Sequence, residues 1–325
     1  MKKILLLLAG FVLFATLSAQ DEAIFNHYTL NHILVNPAAA GFDGLYRAQL
    51  NTRASWAGFA DAPLTVAGRA SAALGNSFGL SAGLLSESAA QQNRLKGQLD
   101  FSFRFKFGQE YLKQPSFQVA FGFYTSLERL TIDPGVLGDP LTQPGDVLLM
   151  EAIDGMNSFD AGVGIYGRFR QNTFGGITIN NLVSNRLENI SGAETSTPLR
   201  YTLLLGHEFR IENLKVNLTP SILFRNVKGA PSMVDLNLQA GFLDDQLITG
   251  LSYRSLGGLG LLLGTNLKAF EFYYSFDLSF ARFQSYSSGA HELTVAFSLN
   301  PKDMKERKKN KAIEQRSQNQ IRQLR

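Results

Sequence analysis

The chain reads as all-β, and within that class as a transmembrane antiparallel β-barrel of about fourteen strands for an outer membrane. Three observations lead there: a two-residue alternation repeated along the chain, connections that sort by length, and a secretory leader with no later long apolar run. The alternation is clearest near the end. Phe270, Phe272, Tyr274, Phe276, Leu278 and Phe280 share one parity, and Glu271, Tyr273, Ser275, Asp277 and Ser279 share the other. Successive strand side chains point to opposite faces, so this stretch is a strand with one greasy and one polar face. After a loop over 281–289, Leu293, Val295, Phe297 and Leu299 alternate with Glu292, Thr294, Ala296 and Ser298. Strands of about ten residues divided in this way meet lipid on one side and a wet interior on the other.

Composition agrees. Among 325 residues there are 30 Gly, 25 Phe and no Cys, and charged residues make up 18%. Mean hydropathy is −0.04, as a barrel gives when its two faces cancel and as a bundle of membrane helices does not. The absence of cysteine removes disulfides, thiolate metal sites, Cys nucleophiles and a lipidated N-terminal Cys. Residues 1–19 read as a signal peptide: Lys2 and Lys3 precede an apolar core from Ile4 to Leu17, and Leu17-Ser18-Ala19 forms a small-residue cleavage site before Gln20. That core is shorter than the roughly twenty residues a transmembrane helix needs. The net charge of +4 divides into +6 on the segment 302–325, +2 on the signal lysines and −4 on the rest. The basic balance therefore belongs to the tail, which speaks against nucleic acid as a partner.

In order along the chain, residues 20–44 lack strand alternation. Ile24, Phe25, Tyr28, Leu30, Ile33 and Leu34 are loosely helical in spacing and run into the turn Asn36-Pro37-Ala38-Ala39-Ala40-Gly41. We read this as a periplasmic lead-in that plugs the lumen or caps the barrel floor. The barrel occupies 45–300. Its strands are expected at 46–53, 64–71, 78–84, 98–107, 117–124, 158–170, 173–181, 198–210, 213–226, 232–243, 246–255, 258–268, 269–280 and 290–299. The connections at 54–61, 86–95, 128–157, 182–197 and 281–289 are long and belong to one rim, while 73–76, 171–172, 211–212, 244–245 and 268–269 are tight and belong to the other. Long outer loops opposite short inner turns are the asymmetry of outer-membrane barrels. Three connections depart from it: 108–115 is long for an inner turn, and 228–231 and 256–257 are short for outer loops. The polar parity mixes signs, as in Asp100 with Arg104, Asp160 with Arg168 and Glu208 with Arg200, which suits a hydrated interior held by ion pairs.

Several motifs, taken in order, resemble those of the PorP/SprF-like outer-membrane proteins of the type IX secretion system of the Bacteroidetes. They are Asn36-Pro37-Ala38-Ala39-Ala40-Gly41; Arg53 with Trp56, followed by Ala62-Pro63-Leu64-Thr65; Tyr274-Ser275-Phe276-Asp277 with Ser279; and Ser288-Gly289-Ala290-His291-Glu292-Leu293. Ala290 stands where the family pattern has Ser, and the loop Ser86-Glu87-Ser88-Ala89 lacks the Asp and Gly of that pattern. The resemblance covers about Gln20 to Asn300. It implies a non-enzymatic barrel that works with the translocon, either in the core machine or as a dedicated partner for the export or surface attachment of large secreted proteins such as adhesins, gliding-motility proteins and surface enzymes. Its implied partners are outer-membrane lipid, translocon subunits and a secreted client.

Catalytic alternatives fail on geometry. His291 precedes Glu292 near Ser285, Ser287 and Ser288, yet adjacent strand residues face opposite sides, so Glu292 cannot orient His291 as a triad acid would. His207 shares parity with Leu203, Leu205 and Phe209 and faces outward, and His27 and His32 are badly spaced for a metal. No catalytic residue, cofactor or metal is expected. The structural or partner-contact candidates are Asn36, Pro37, Gly41, Arg53, Trp56, Pro63, Asp277, His291 and Glu292. Trp56, the single tryptophan, reads equally as an interfacial anchor and as a contact for the lead-in or a partner. The loop 131–157 carries Asp133, Asp139, Asp146, Glu151 and Asp154 with no Lys or Arg. In the tail (301–325), Lys305, Arg307, Lys308, Lys309 and Lys311 form a basic run. That run is a solubilising extension or a periplasmic handle for a ring component or peptidoglycan. The competing functional reading is a diffusion or uptake channel for small or hydrophobic solutes.

Overall fold

A computed structural model describes residues 25–300 except 60, 112–113, 141, 144, 184, 187–197, 256 and 281–288. The expected signal peptide, the basic tail with Lys305 to Lys311, and the serines at 285, 287 and 288 lie outside the described residues. Fourteen antiparallel strands form a closed barrel. They are β1 (Tyr46–Ala54), β2 (Leu64–Leu74), β3 (Phe78–Ala89), β4 (Gln92–Tyr111), β5 (Gln114–Ile132), β6 (Met156–Phe169), β7 (Thr173–Asn180), β8 (Arg200–His207), β9 (Val216–Val227), β10 (Met233–Phe242), β11 (Leu247–Arg254), β12 (Gly258–Leu267), β13 (Phe270–Ser279) and β14 (Ala290–Leu299). Short segments continue two of them, Asn185–Arg186 after β7 and Phe209–Ile211 after β8. Each strand pairs with its neighbour in sequence, and β14 pairs with β1 from Tyr46↔Leu299 to Ala54↔His291. Closure leaves no sheet edge, so backbone donors and acceptors are met without water.

The side chains divide as their parity dictates. Leu50, Leu84, Phe121, Ile177, Leu251 and Leu261 are exposed on the outside, while Asn51, Ser81, Asp100, Thr178 and Glu292 are buried within. β1 runs from the lower rim, at Tyr46, to the upper rim, at Ala54. Among the described residues the lower connections are tight: 75–77, 170–172, 212–215, 243–246 and 268–269. The upper rim carries the long ones, including 55–63 and 133–155. In the latter, a 3-10 turn (Pro134–Gly138) precedes the short helix α1 (Val147–Asp154).

Two stretches expected as connections are strand instead. Over 86–95 the ladder runs on to a two-residue turn at Ala90 and Gln91, with Ala90 in the left-handed region at φ 51°. Ion pairs between Arg94 and Glu87 (3.4 Å) and Arg94 and Glu128 (3.2 Å) tie β3, β4 and β5 together there. Cross-strand charges do for this end what aliphatic side chains do lower down. Over 108–111 and 114–115, β4 and β5 also continue, past a register shift after Phe107 that Gly108 absorbs at φ 81°.

Residues 25–44 lie inside the barrel. They are three single turns of 3-10 helix, Asn26–Thr29, His32–Leu34 and Pro37–Ala39, where the spacing had pointed to a longer helix. The side chain of Asn31 accepts a bond from the Ile33 amide and that of Asn36 from the Ala38 amide, so each Asn ends one turn and starts the next. The segment begins beside the upper ends of β13 and β14 and descends to the lower rim, where the Ala73 amide bonds the Leu45 carbonyl. Tyr28, Ala38 and Phe42 join Ala120, Tyr166, Phe174, Leu204, Leu223 and Met233 in an apolar cluster within an otherwise polar lumen.

Candidate functional site in the lumen

The segment is held at two levels. At the upper level everything converges on one carboxylate. Glu292, 1% exposed, accepts the backbone amides of Asn26 (2.8 Å) and His27 (3.0 Å) and a bond from Arg53 Nη1 (3.0 Å). Arg53 Nη2 reaches Asp277 at 2.7 Å, and Asp277 also accepts the side-chain amide of Asn26. The Oδ1 of Asn26 accepts from Arg254 (2.8 Å), whose guanidinium is paired with Asp235 at 2.9 and 3.0 Å. Asn237 donates to the Tyr28 hydroxyl (2.8 Å) and Gln239 to that of Thr29 (2.6 Å). Two arginines face three carboxylates, and the backbone amides of the segment and the Asn26 side chain satisfy much of the remaining acceptor capacity.

At the lower level the seat is made of glycine and carbonyl groups. Asn36 Nδ2 donates to the Ile165 carbonyl (2.9 Å) and more weakly to that of Ile177 (3.4 Å), while Thr178 donates to the Val35 carbonyl (3.0 Å). A Cβ on Gly164 or Gly176 would strike the Asn36 side chain, one on Gly122 the backbone of Pro37 and Ala38, and one on Gly79 the Ala40 carbonyl. These four glycines let the segment's backbone lie directly on the wall. Gly41 sits at φ 58° with Ala72 and Ala73 against it, so no side chain fits there. Below it, Arg104 donates to the carbonyls of Gly41 (3.1 Å), Phe42 and Asn76 (3.1 Å) and lies 5.6 Å from the Phe42 ring centroid.

Both histidines of the segment are neutral. Burial pulls the His27 imidazole below its ordinary value, and its Nδ1 sits 2.6 Å from the Thr294 hydroxyl. Burial and the nearby Arg168 and Arg47 push His32 down to about 3, with its ring stacked on Phe174 and its Nδ1 2.7 Å from the Tyr166 hydroxyl.

The sequence candidates thus separate into two groups. Asn36, Pro37, Gly41, Arg53, Asp277 and Glu292, distant in sequence, meet in the lumen on one segment. Pro63 and His291 do not, while Trp56 lines a cavity beside Asn26, Arg53 and Asp277 at the rim above them. Trp56 is 43% exposed at the upper rim with φ 54°, beside the loop that the Pro63 carbonyl closes by accepting from Ser55 (2.9 Å). His291 faces outward against Phe276 and bonds the Tyr274 hydroxyl at 2.7 Å, on the opposite side of the wall from Glu292. The sign-mixed interior charges choose partners other than those adjacent in sequence. Asp100 pairs with Arg69, and Asp160 accepts from the Tyr124 hydroxyl at 2.7 Å. Asn26, Asp235, Arg254 and the wall glycines escape a reading of the sequence alone, although inward parity on β10 and β11 marks Asp235 and Arg254 as interior charges. Among the described residues no group of three or more His, Cys, Asp or Glu side chains is placed to hold a metal ion.

What this geometry defines is an outer-membrane β-barrel whose lumen is occupied by its own N-terminal segment. Its overall shape is shared with the monoaromatic hydrocarbon channel TodX in a deltaS2S3 mutant form (TM-score 0.51, 10% identity, 85% of this chain and 94% of that one). It is shared equally with the toluene transporter TbuX of Ralstonia pickettii (TM-score 0.51, 10% identity, 87% and 95%). At that identity the likeness is one of fold. No curated protein matches the chain in sequence. A family model does: that of the type IX secretion system membrane protein PorP/SprF, over residues 17–297. The chain belongs to this family.

Proposed function

We propose that the protein is a non-enzymatic outer-membrane partner of the type IX translocon that helps a secreted client reach or stay on the cell surface. In this reading the upper rim faces outward and the lower rim faces the periplasm. The observation that carries it is the segment seated in the lumen. The residues by which the chain resembles its family, Asn36, Gly41, Arg53, Asp277 and Glu292, are spent on holding a segment in the bore, where a solute channel would keep a path. The rims, the outer wall and the part of the bore that the segment leaves open are then the surfaces left for partners. Trp56 and Pro63 belong to the client-facing rim. The basic run Lys305, Arg307, Lys308, Lys309 and Lys311 follows a strand that ends at the lower rim, where it serves as a handle for a ring component or peptidoglycan.

Affinity purification of the intact protein from its native membrane tests this. Recovery of translocon subunits or of one large surface protein is the expected result. Solute flux through the purified barrel, with secretion intact in a deletion strain, would instead establish the channel reading.

A further inference from the structure

Above the segment the bore keeps a cleft, with about 1010 Å³ of empty space counting the part open to solvent. Its charged lining is one-sided. Among the described residues, Arg69, Lys96, Arg200 and Arg225 line it and no Asp or Glu does. The four cations come as two pairs. Arg200 and Arg225 stand on neighbouring strands, opposite Val227 and Thr202. Arg69 and Lys96 stand on β2 and β4 either side of β3, opposite Gly83 and Leu85, and the absent side chain of Gly83 makes room for the Arg69 guanidinium. Lys96 and Arg225 are 9% and 7% exposed, so half of this charge is set in the wall and not on flexible surface arms. Apolar groups from the segment and the wall, Phe25, Ile33, Leu34 and Leu223, line the same cleft.

We infer that this cleft receives an acidic, partly apolar stretch of a polypeptide, with at least two carboxylates spaced to reach both pairs. A cleft lined by one sign of charge focuses its field and concentrates the opposite sign. Arginine forks bind carboxylates with directional bonds. A small anion satisfies one pair and leaves the other pair and the apolar floor unused. Arg69 is bonded to Asp100, and Lys96, Arg200 and Arg225 also interact within the chain, so the incoming carboxylates exchange with existing contacts. The inference rests on the reading of the upper rim as the client-facing side and names the chemistry of what would enter there.

The test uses the full-length protein in lipid nanodiscs and a fluorescent hexapeptide of alternating Glu and Leu, with the Lys-Leu hexapeptide as its counterpart. Anisotropy should report binding of the acidic peptide alone, weakened by salt. Arg200→Gln with Arg225→Gln should lower the affinity about tenfold or more. Because that double variant alters one wall, Lys96→Gln on the other must weaken binding as well, each variant being checked for barrel formation by heat-modifiable migration. Equal binding of the two peptides overturns the inference. So does unchanged affinity in the folded variants, or complete displacement by millimolar sulfate. Loss of peptide binding while translocon subunits still co-purify removes this site and spares the proposed function. Peptide binding with no co-purified partner does the reverse.

Discussion

Glu292 shows how one side chain joins the two ends of the chain. It lies on the last strand, is paired with Arg53 of the first, and accepts two amides from residues that precede the barrel altogether. Removing it leaves the Arg53 Nη1 and those amides buried without their acceptor, although Arg53 keeps Asp277, and breaking a buried pair costs about 3–5 kcal/mol. Glu292→Ala should therefore lower barrel stability by an amount of that order in urea titrations, with Glu292→Gln losing less because it still accepts. The wall glycines make a complementary case. Gly122→Ala puts a methyl group into the Pro37–Ala38 backbone and should displace the segment, exposing it to protease in the folded protein. Gly68→Ala, where a Cβ meets nothing, should leave it protected. His32 carries the pH dependence. Its folded value of about 3 lies below the ordinary 6.5, so its contribution is fully present above about pH 6.5 and falls away as pH drops toward 3. A His32→Asn variant should lose less stability than the parent between pH 7 and pH 4; equal slopes would assign that loss to the carboxylates instead.

At the scale of elements, the strands were easy to read and the segment was not. Phe270–Ser279 and Ala290–Leu299 fall on the expected ranges because alternation is a local signal, repeated within each strand. The upper end of β3 and β4 reads as a loop because Ser86, Glu87 and Ser88 interrupt the apolar alternation; the cross-strand pairs of Arg94 that hold it there are not visible along one strand. The same limit, enlarged, applies to residues 25–44. Apart from the bond of Asn31 to Gln49, their hydrogen bonds to the wall reach partners 62 to 267 residues away, so neither their course through the bore nor the breaks between their turns can be read from local spacing. The motif residues are recognisable one by one, yet what Arg53, Asp277 and Glu292 share, contact with the segment that carries Asn36 and Gly41, exists only in the folded chain.

For the whole molecule, the cysteine-free sequence makes sidedness simple to measure. Phe59→Cys, on the upper loop, should react with a membrane-impermeant maleimide on intact cells, and Leu214→Cys, in a lower turn, only after lysis. The reverse pattern would invert the barrel and remove the upper rim as a client-facing surface. The account as a whole depends on the N-terminal segment closing the bore, and single-channel recording in planar bilayers tests this most directly. The intact protein should be silent or nearly so, and a variant lacking residues 25–40 should open a steady conductance through the polar lumen. A steady conductance from the intact protein, or equal silence from both, would contradict it.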